Sequence, residues 1–253
     1  MERGYDDMKD FFLYQTEGAT DAGFEMFGTC HLLWLTGIGI FSWWMGRFFS
    51  FAEKSKQEGT QKVFGFLFPS VAILREVVLI VTGQLVPDMY PFHLCNLSLW
   101  IATIYIWCKN RFAGVVYVLL CLPAATLALV FPGWTRYPFW TFMHIYDFIF
   151  HGCVVAFGWM LVRGKEMIPD WKELWKPLIF GITGCVVMCY VNCGLDTDFW
   201  FVNKPSDGSP LSWIYSELGD GGYKIGHFLF CSMVVVVWQA VIYFCFKKRK
   251  RLK

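Results

Sequence analysis

Seven long apolar segments, separated by short polar connections, constrain the fold of this chain more than any other feature. A helix needs about 20 mostly apolar residues to cross the hydrocarbon core of a bilayer. The segments are Thr29–Phe49, Val63–Leu85, Pro91–Trp107, Phe112–Phe131, Pro138–Val162, Leu178–Phe201 and Tyr223–Phe246. Because the sequence has no visible internal repeat or second domain, it predicts one all-α domain over residues 1–253, a polytopic membrane protein with seven transmembrane helices.

The composition agrees with a membrane protein. Charged residues make up 17% of the 253 residues, whereas a soluble domain usually carries about 25%. Aromatic residues make up 20%, as expected of helices that carry Trp and Tyr at both membrane interfaces. The first 25 residues lack the basic start and apolar centre of a cleaved signal peptide. We therefore expect the first helix itself to direct insertion.

The distribution of Lys and Arg predicts the orientation. Alternate connections and the C-terminal tail together carry 16 of these residues, and the opposite side carries five. Positive loops stay in the cytoplasm, so the basic tail 247–253 is expected there, where it also meets anionic lipid headgroups. Seven spans then place the N-terminal segment 1–28 outside the cytoplasm. We expect a plasma membrane protein.

Two charged neighbours, Arg75 and Glu76, fall near the middle of the second helix. Charged side chains inside a membrane are costly unless they are paired or solvated. Adjacent residues on a helix do not face each other. We therefore expect each of them to find a partner on another helix or in a wet cavity.

The fifth helix carries three polar residues, His144, Asp147 and His151, on one face. Such a face is expected to point into the bundle rather than at lipid. Two interpretations stay open: a buried polar network that holds helices together, and a reactive site. Histidine shuttles protons near neutral pH, and a carboxylate can set its tautomer.

The predicted orientation places every histidine of the chain in the outer half of the membrane or near its midplane. The five are His31, His93, His144, His151 and His227. Their convergence predicts a single cavity that opens towards the outer leaflet.

Cys95 is the most informative of the ten cysteines. Proline favours the first position of a helix, so Pro91 places Cys95 in or just after the first turn of the third helix. There the helix dipole and the free N–H groups favour a thiolate and can stabilise an oxyanion. His93 is badly placed to act as its base, and a histidine of the fifth helix is better placed. The alternative is a cysteine that only fills space in the bundle.

The remaining cysteines lie mostly in apolar segments, so no disulfide framework is predicted. Cys185, Cys189 and Cys193 form a stripe at four-residue spacing. This stripe is more typical of helix packing than of a metal site. We expect no metal, no cofactor and no nucleic-acid partner.

An ordered set of short motifs resembles the bacterial YwaF family of integral membrane proteins. The clearest is Pro91-Phe-His-Leu-Cys95-Asn96, which is similar to the family's Pro-x-His-Leu-Cys segment. The other stretches are Phe27–Trp34, Phe131-Pro132, Tyr137–Phe139, His151-Gly152, Asn203–Pro205 and Ser209–Leu211.

That family is similar to eukaryotic transmembrane protein 164, a phospholipid acyltransferase with a Cys nucleophile and a His in its bundle. The resemblance implies that Cys95 is the nucleophile and His151 its base, oriented by Asp147 or Glu76. It implies a bacterial protein with phospholipid and lysophospholipid substrates, whose acyl chain is exchanged through an acyl-thioester. The predicted orientation places this site towards the outer leaflet. The expected supporting or substrate-binding residues are Arg75, Glu76, His93, Asn96, His144, Asp147 and His227.

Three other functions stay open at this point. An intramembrane lipid-ester hydrolase would use the same residues with water as the acyl acceptor. A proton-coupled transporter would use the buried Arg, Glu, Asp and His, although repeated halves and broken-helix pairs are not apparent. A sensor or assembly factor would need the polar core only for structure.

Overall fold

The computed structural model of the chain describes residues 11–12 and 23–247, and over these residues it contains helices and no strand. The seven long helices are α1 (Thr29–Phe51), α2 (Lys54–Val81), α3 (Leu94–Cys108), α4 (Arg111–Val130), α5 (Phe142–Arg163), α6 (Trp175–Leu195) and α7 (Pro210–Ile242). Short 3-10 turns occupy Pro87–Met89, Trp171–Glu173 and Phe199–Phe201. The predicted all-α class and the count of seven long helices are confirmed.

Six of the seven helices, α2 to α7, are long and apolar enough to cross a membrane, which identifies an integral membrane protein. The other helix, α1, has 23 residues and packs along α5, where it buries His31 and Ser42. The side of the membrane that each end faces stays a prediction. The basic residues after Lys247 and most of the predicted N-terminal segment lie outside the described residues.

Several helices begin earlier than their apolar segments. Helix α2 begins at Lys54 rather than Val63, and α7 begins at Pro210 rather than Tyr223. Polar residues such as Lys, Gln and Glu are good helix formers, so the helices continue past the apolar stretch. Within α7, Gly219 has a φ of 60° and bends the helix.

Helices α4 and α5 form the centre of the bundle. In each of them 72% of the most apolar stretch is buried, against 11% in α6 and 17% in α7. The turn of α4 over Tyr117–Cys121 is a π-helix, a local widening often found at functional sites. The Tyr117 hydroxyl donates a hydrogen bond to the Val154 carbonyl oxygen at 2.8 Å and so ties this turn to α5.

Small residues let α5 approach its neighbours closely. A Cβ added to Gly158 would lie 2.9 Å from Leu122 of α4, and one added to Gly152 would lie 3.0 Å from Ile38 of α1. Close backbone approach is the usual basis of helix packing in membranes, where the hydrophobic effect does not drive helices together. The stiff α1–α4–α5 unit is the support on which the cavity described below is built.

Ion pairs join the helix ends on the side opposite Cys95. Lys54 pairs with Glu166 at 2.9 Å, and Glu173 accepts hydrogen bonds from both Arg111 and Lys176. These bonds connect the starts of α2, α4 and α6 to the α5–α6 connection. The polar residues that border the cavity lie towards the other end of the bundle, where α3 begins.

Candidate active site

A cavity of ≈ 430 Å³ lies among α3, α4, α5, α6 and α7. Its volume is in the range of pockets that hold small ligands, about 300–1,000 Å³. Most of its wall is apolar. Seven of the predicted site residues border it: Arg75, His93, Cys95, Asn96, Asp147, His151 and His227. The two others, Glu76 and His144, lie outside its lining.

Cys95 is the second residue of α3, which begins at Leu94 and has His93 as its N-cap. The helix therefore begins three residues after Pro91, which lies in the preceding turn rather than at the first helical position. No side chain caps this end of α3. The first N–H groups of a helix have no partner within the helix, so those of Leu94, Cys95 and Asn96 are available as donors. The same three residues border the cavity.

The His151 ring is held in one tautomer by the main chain. Its Nδ1 atom lies 2.7 Å from the carbonyl oxygen of Asp147. A carbonyl oxygen only accepts hydrogen bonds, so Nδ1 carries the proton and Nε2 keeps its lone pair. The ring stacks on Trp134 with centroids 4.7 Å apart. The expected orienting group was the carboxylate of Asp147 or Glu76, whereas the bond is made to the main-chain oxygen of Asp147.

His93 is held in the opposite tautomer. The backbone N–H of Trp200 donates to His93 Nδ1 at 3.4 Å. In a neutral ring the proton is then on Nε2, so His93 offers an N–H donor. The Trp200 indole also donates to the Phe92 carbonyl oxygen at 2.8 Å, which fixes the 3-10 turn Phe199–Phe201 against the start of α3. The two histidines thus border one cavity in different roles: His93 offers Nε2–H as a donor, and His151 offers Nε2 as an acceptor.

Arg75 and Glu76 form an ion pair with each other, with 2.5 Å between Nη1 and Oε1. The sequence predicted that each of them would find a partner on another helix or in a wet cavity. Arg75 fits this prediction, because it borders the cavity, but its ion pair with the adjacent Glu76 was not predicted. Arg75 also donates to the Met89 carbonyl oxygen at 2.8 Å. It is buried and interacts electrostatically with Asp147 across the cavity wall. The guanidinium group of Arg75 therefore lies at the edge of a mostly apolar space.

The predicted convergence of five histidines is only partly right. His31 accepts the Phe27 N–H at Nδ1, and its Nε2 donates to the Leu129 carbonyl oxygen at 2.8 Å. His144 accepts from the Trp34 indole at 3.2 Å and lies among aromatic rings. These two rings join α1, α4 and α5. Three histidines remain at the cavity.

Several residues that border the cavity were not predicted from the sequence, and Cys231 is one of them. Cys231 of α7 borders the cavity, and its Sγ atom lies 3.8 Å from Nε2 of His227. The available signal was the spacing of four residues on one helix, which places the two side chains on the same face. By contrast, no hydrogen bond joins Cys95 to a histidine among the described residues.

The α6–α7 loop borders the cavity through residues that include Trp200 and Phe201. Asp198 accepts hydrogen bonds from the N–H groups of Asn203 and Lys204, both at 2.9 Å. Burial raises the pKa of Asp198 above its ordinary value, although these donors oppose the shift. Asn192 of α6 bonds both the N–H and the carbonyl oxygen of Phe199. These contacts place Trp200, and through it His93.

The comparisons with known proteins bear on the whole bundle. The sequence profile of the TMEM164 family matches residues 26–246, a range that contains all nine predicted site residues. No curated protein and no solved structure matches the chain. The bacterial YwaF resemblance is not tested by this match. The match extends from the start of α1 to the end of α7, and the chain is a member of the TMEM164 family of membrane proteins.

Proposed function

We propose that this protein is a membrane-embedded acyltransferase that moves a fatty acyl chain from a phospholipid to a lysophospholipid through a thioester on Cys95. One observation carries the proposal. Cys95 and His151 border the same largely apolar cavity. Cys95 places a thiol at a helix start that no side chain caps. His151 has an imidazole whose Nε2 atom is free to accept a proton. The membership of the family agrees with it.

In the first half-reaction, Nε2 of His151 takes the thiol proton of Cys95. The thiolate sulfur then bonds to the ester carbonyl carbon of the donor lipid, the usual route of nucleophilic catalysis. Collapse of the tetrahedral intermediate breaks the ester C–O bond. His151 returns its proton to the departing lysophospholipid oxygen, and the acyl chain remains on Cys95.

The negative charge of the intermediate falls on the former carbonyl oxygen, close to the start of α3. The N–H groups of the first turn and Nε2–H of His93 are the donors that would meet it. Such donors lower the barrier because they are in place before the charge develops. Since Trp200 holds the His93 ring, the donor does not have to be reorganised during the reaction.

In the second half-reaction the hydroxyl of a lysophospholipid attacks the thioester, again with His151 as the base. Water in its place would make the enzyme a hydrolase, so exclusion of water decides between the two outcomes. The apolar wall formed by residues such as Leu120, Leu127, Leu178 and Val235 favours transfer. It also suits an acyl chain whose ester lies at headgroup depth in the outer leaflet.

Arg75 and Asn96 are proposed to bind the phosphate and the glycerol oxygens of the lipid. A guanidinium matches the geometry of phosphate oxygens. The hydrogen bonds from the Arg75 guanidinium to Glu76 and to the Met89 carbonyl oxygen hold the guanidinium in place. In this proposal Glu76 is a positioning residue, and it does not meet the substrate.

The test is intact-protein mass spectrometry of the purified chain after incubation in phosphatidylcholine vesicles, before and after hydroxylamine at neutral pH. We expect a fatty-acyl mass increment that hydroxylamine removes, because it cleaves thioesters under these conditions. Cys95→Ser should abolish it. Cys108→Ser is the matched control, since Cys108 is an exposed thiol at the other end of the same helix.

Added lysophospholipid should discharge the thioester and yield a new phospholipid. Release of free fatty acid alone would identify the hydrolase instead. An adduct that persists in Cys95→Ser but disappears in Cys108→Ser would overturn the assignment of the nucleophile. A folded protein that forms no adduct in vesicles without added lysophospholipid would overturn the acyl-enzyme mechanism.

A further inference from the structure

A second pair of thiol and imidazole borders the cavity on α7. The Sγ atom of Cys231 lies 3.8 Å from Nε2 of His227, and both residues line the same space as Cys95 and His151. Three thiols border this cavity: Cys95, Cys185 and Cys231. Among the described residues, Cys231 is the only one of the three with a histidine nitrogen at hydrogen-bonding distance.

The contact between His227 and Cys231 does not itself hold the bundle together. A polar contact that does so joins different helices, whereas these two residues belong to one helix. His227 is positioned separately, because its ring also forms a hydrogen bond with the main chain of Trp200 in the α6–α7 loop. The contact with Cys231 is therefore additional to the bond that positions the ring, and both residues border the cavity, unlike His31 and His144.

We infer that Cys231 is a second acyl-accepting thiol of this cavity, with His227 as its base. The inference rests on the proposed function, because the acyl group that it receives is the one first bound to Cys95. The pairing supplies what a thiol needs to react, namely a base in contact with it and access to the substrate space.

The step is a thioester exchange. The Cys231 proton passes to Nε2 of His227, and the Cys231 sulfur bonds to the thioester carbonyl carbon. The bond from that carbon to the Cys95 sulfur breaks, and the Cys95 thiolate takes up the proton from the His227 imidazolium. One thiol and one thioester stand on each side of the reaction. No oxidant, reductant or additional reactant is required.

The exchange would separate the two half-reactions in space. With the acyl chain on α7, the donor side of the cavity at α3 is free while lysophospholipid leaves and the acceptor enters. Helix α7 is suited to this because it is among the least buried helices of the bundle and bends at Gly219. The acyl chain itself stays in the apolar part of the cavity throughout.

The test is peptide mapping of the purified full-length chain after incubation in vesicles of phosphatidylcholine, with acylated cysteines located by tandem mass spectrometry. We expect hydroxylamine-sensitive acylation of both Cys95 and Cys231. Replacement His227→Gln should slow acylation of Cys231 by about a hundredfold, the lower end of what a general base contributes. Cys185 is the internal control, because it borders the cavity without a histidine partner.

The replacement Cys95→Ser tests whether Cys231 receives its acyl group from Cys95. Loss of acylation at Cys231 in this variant, with the adduct present in the unaltered protein, supports exchange from Cys95. Acylation of Cys95 with none at Cys231 would overturn the inference and leave the proposed function standing. Equal labelling of Cys185 and Cys231, unaffected by His227→Gln, would also overturn it. If neither Cys95 nor Cys231 is acylated, both proposals fail.

Discussion

The Nδ1 atom of His151 lies 2.7 Å from the main-chain oxygen of Asp147, one turn earlier in α5. This oxygen is present whatever side chain occupies position 147. The arrangement differs from a Ser-His-Asp triad, in which a carboxylate holds the imidazole. The tautomer of His151 is therefore a property of the helix and does not depend on the charge of Asp147.

The replacement Asp147→Asn should accordingly have little effect on the rate of Cys95 acylation. We expect the rate of Cys95 acylation to fall by less than about tenfold, whereas the corresponding change in a triad costs about 10⁴-fold. Quench-flow or manual time courses of the adduct mass would measure it. A loss beyond a thousandfold in a folded Asn variant would instead assign a direct catalytic role to the Asp147 carboxylate.

His151→Gln should slow acylation of Cys95 by about 10²–10⁴-fold, because it removes the general base. His144→Gln is the matched control, since it is a buried histidine on the same helix outside the cavity lining. The His144→Gln protein should still form the adduct. Its thermal unfolding temperature should fall, because the replacement disturbs the hydrogen bond that the Trp34 indole donates to His144. Loss of the adduct in a folded His144→Gln protein would contradict this placement.

His93 is expected to act through its Nε2–H donor. His93→Phe should slow acylation by about 10²–10³-fold, the usual effect of removing one oxyanion donor. The Gln side chain can place an N–H group near the position of Nε2, so His93→Gln should recover part of the rate. Equal losses in the two variants, with the same apparent KM for phospholipid, would argue against a hydrogen-bonding role.

Gly184 of α6 leaves room for the Trp200 ring, because an added Cβ would collide with the ring atoms. Gly184→Ala should displace Trp200, disturb its bonds to Phe92 and His93, and destabilise the fold by about 1–3 kcal/mol through overpacking. Gly194→Ala on the same helix is the control, since nothing lies within 4 Å of its added Cβ. Thermal unfolding in detergent would check both, and equal melting temperatures would refute the packing argument.

Asp198 should contribute a pH dependence of stability. Its pKa is raised above the ordinary 3.8 because the carboxyl group is partly buried. Between the ordinary and the raised pKa the folded state holds more protons than the unfolded state, so stability falls as the pH rises through this interval. The quantity to measure is the melting temperature of the unaltered protein minus that of Asp198→Asn. This difference should fall as the pH rises from about 3.5 towards neutral. A constant difference would contradict the shift.

Much of the architecture follows from the sequence alone. Seven apolar segments dictate seven long helices, because a bilayer-spanning backbone must satisfy its hydrogen bonds internally. The turn at Pro91 likewise places Cys95 in the first turn of α3, although the helix begins at Leu94 rather than at the proline. Helix ends were less predictable, since polar residues such as Lys54 continue a helix beyond its apolar part.

The site depended on the tertiary structure. The sequence places His31, His93, His144, His151 and His227 at similar depth, yet depth alone does not say which rings meet. Packing of α1 against α5 takes His31 and His144 away from the cavity. The loop that carries Trp200 sets the tautomer of His93, and a main-chain oxygen sets that of His151. Local spacing determines which helix face a side chain occupies, but contacts between distant segments decide which hydrogen bonds it makes, and those bonds decide its chemistry.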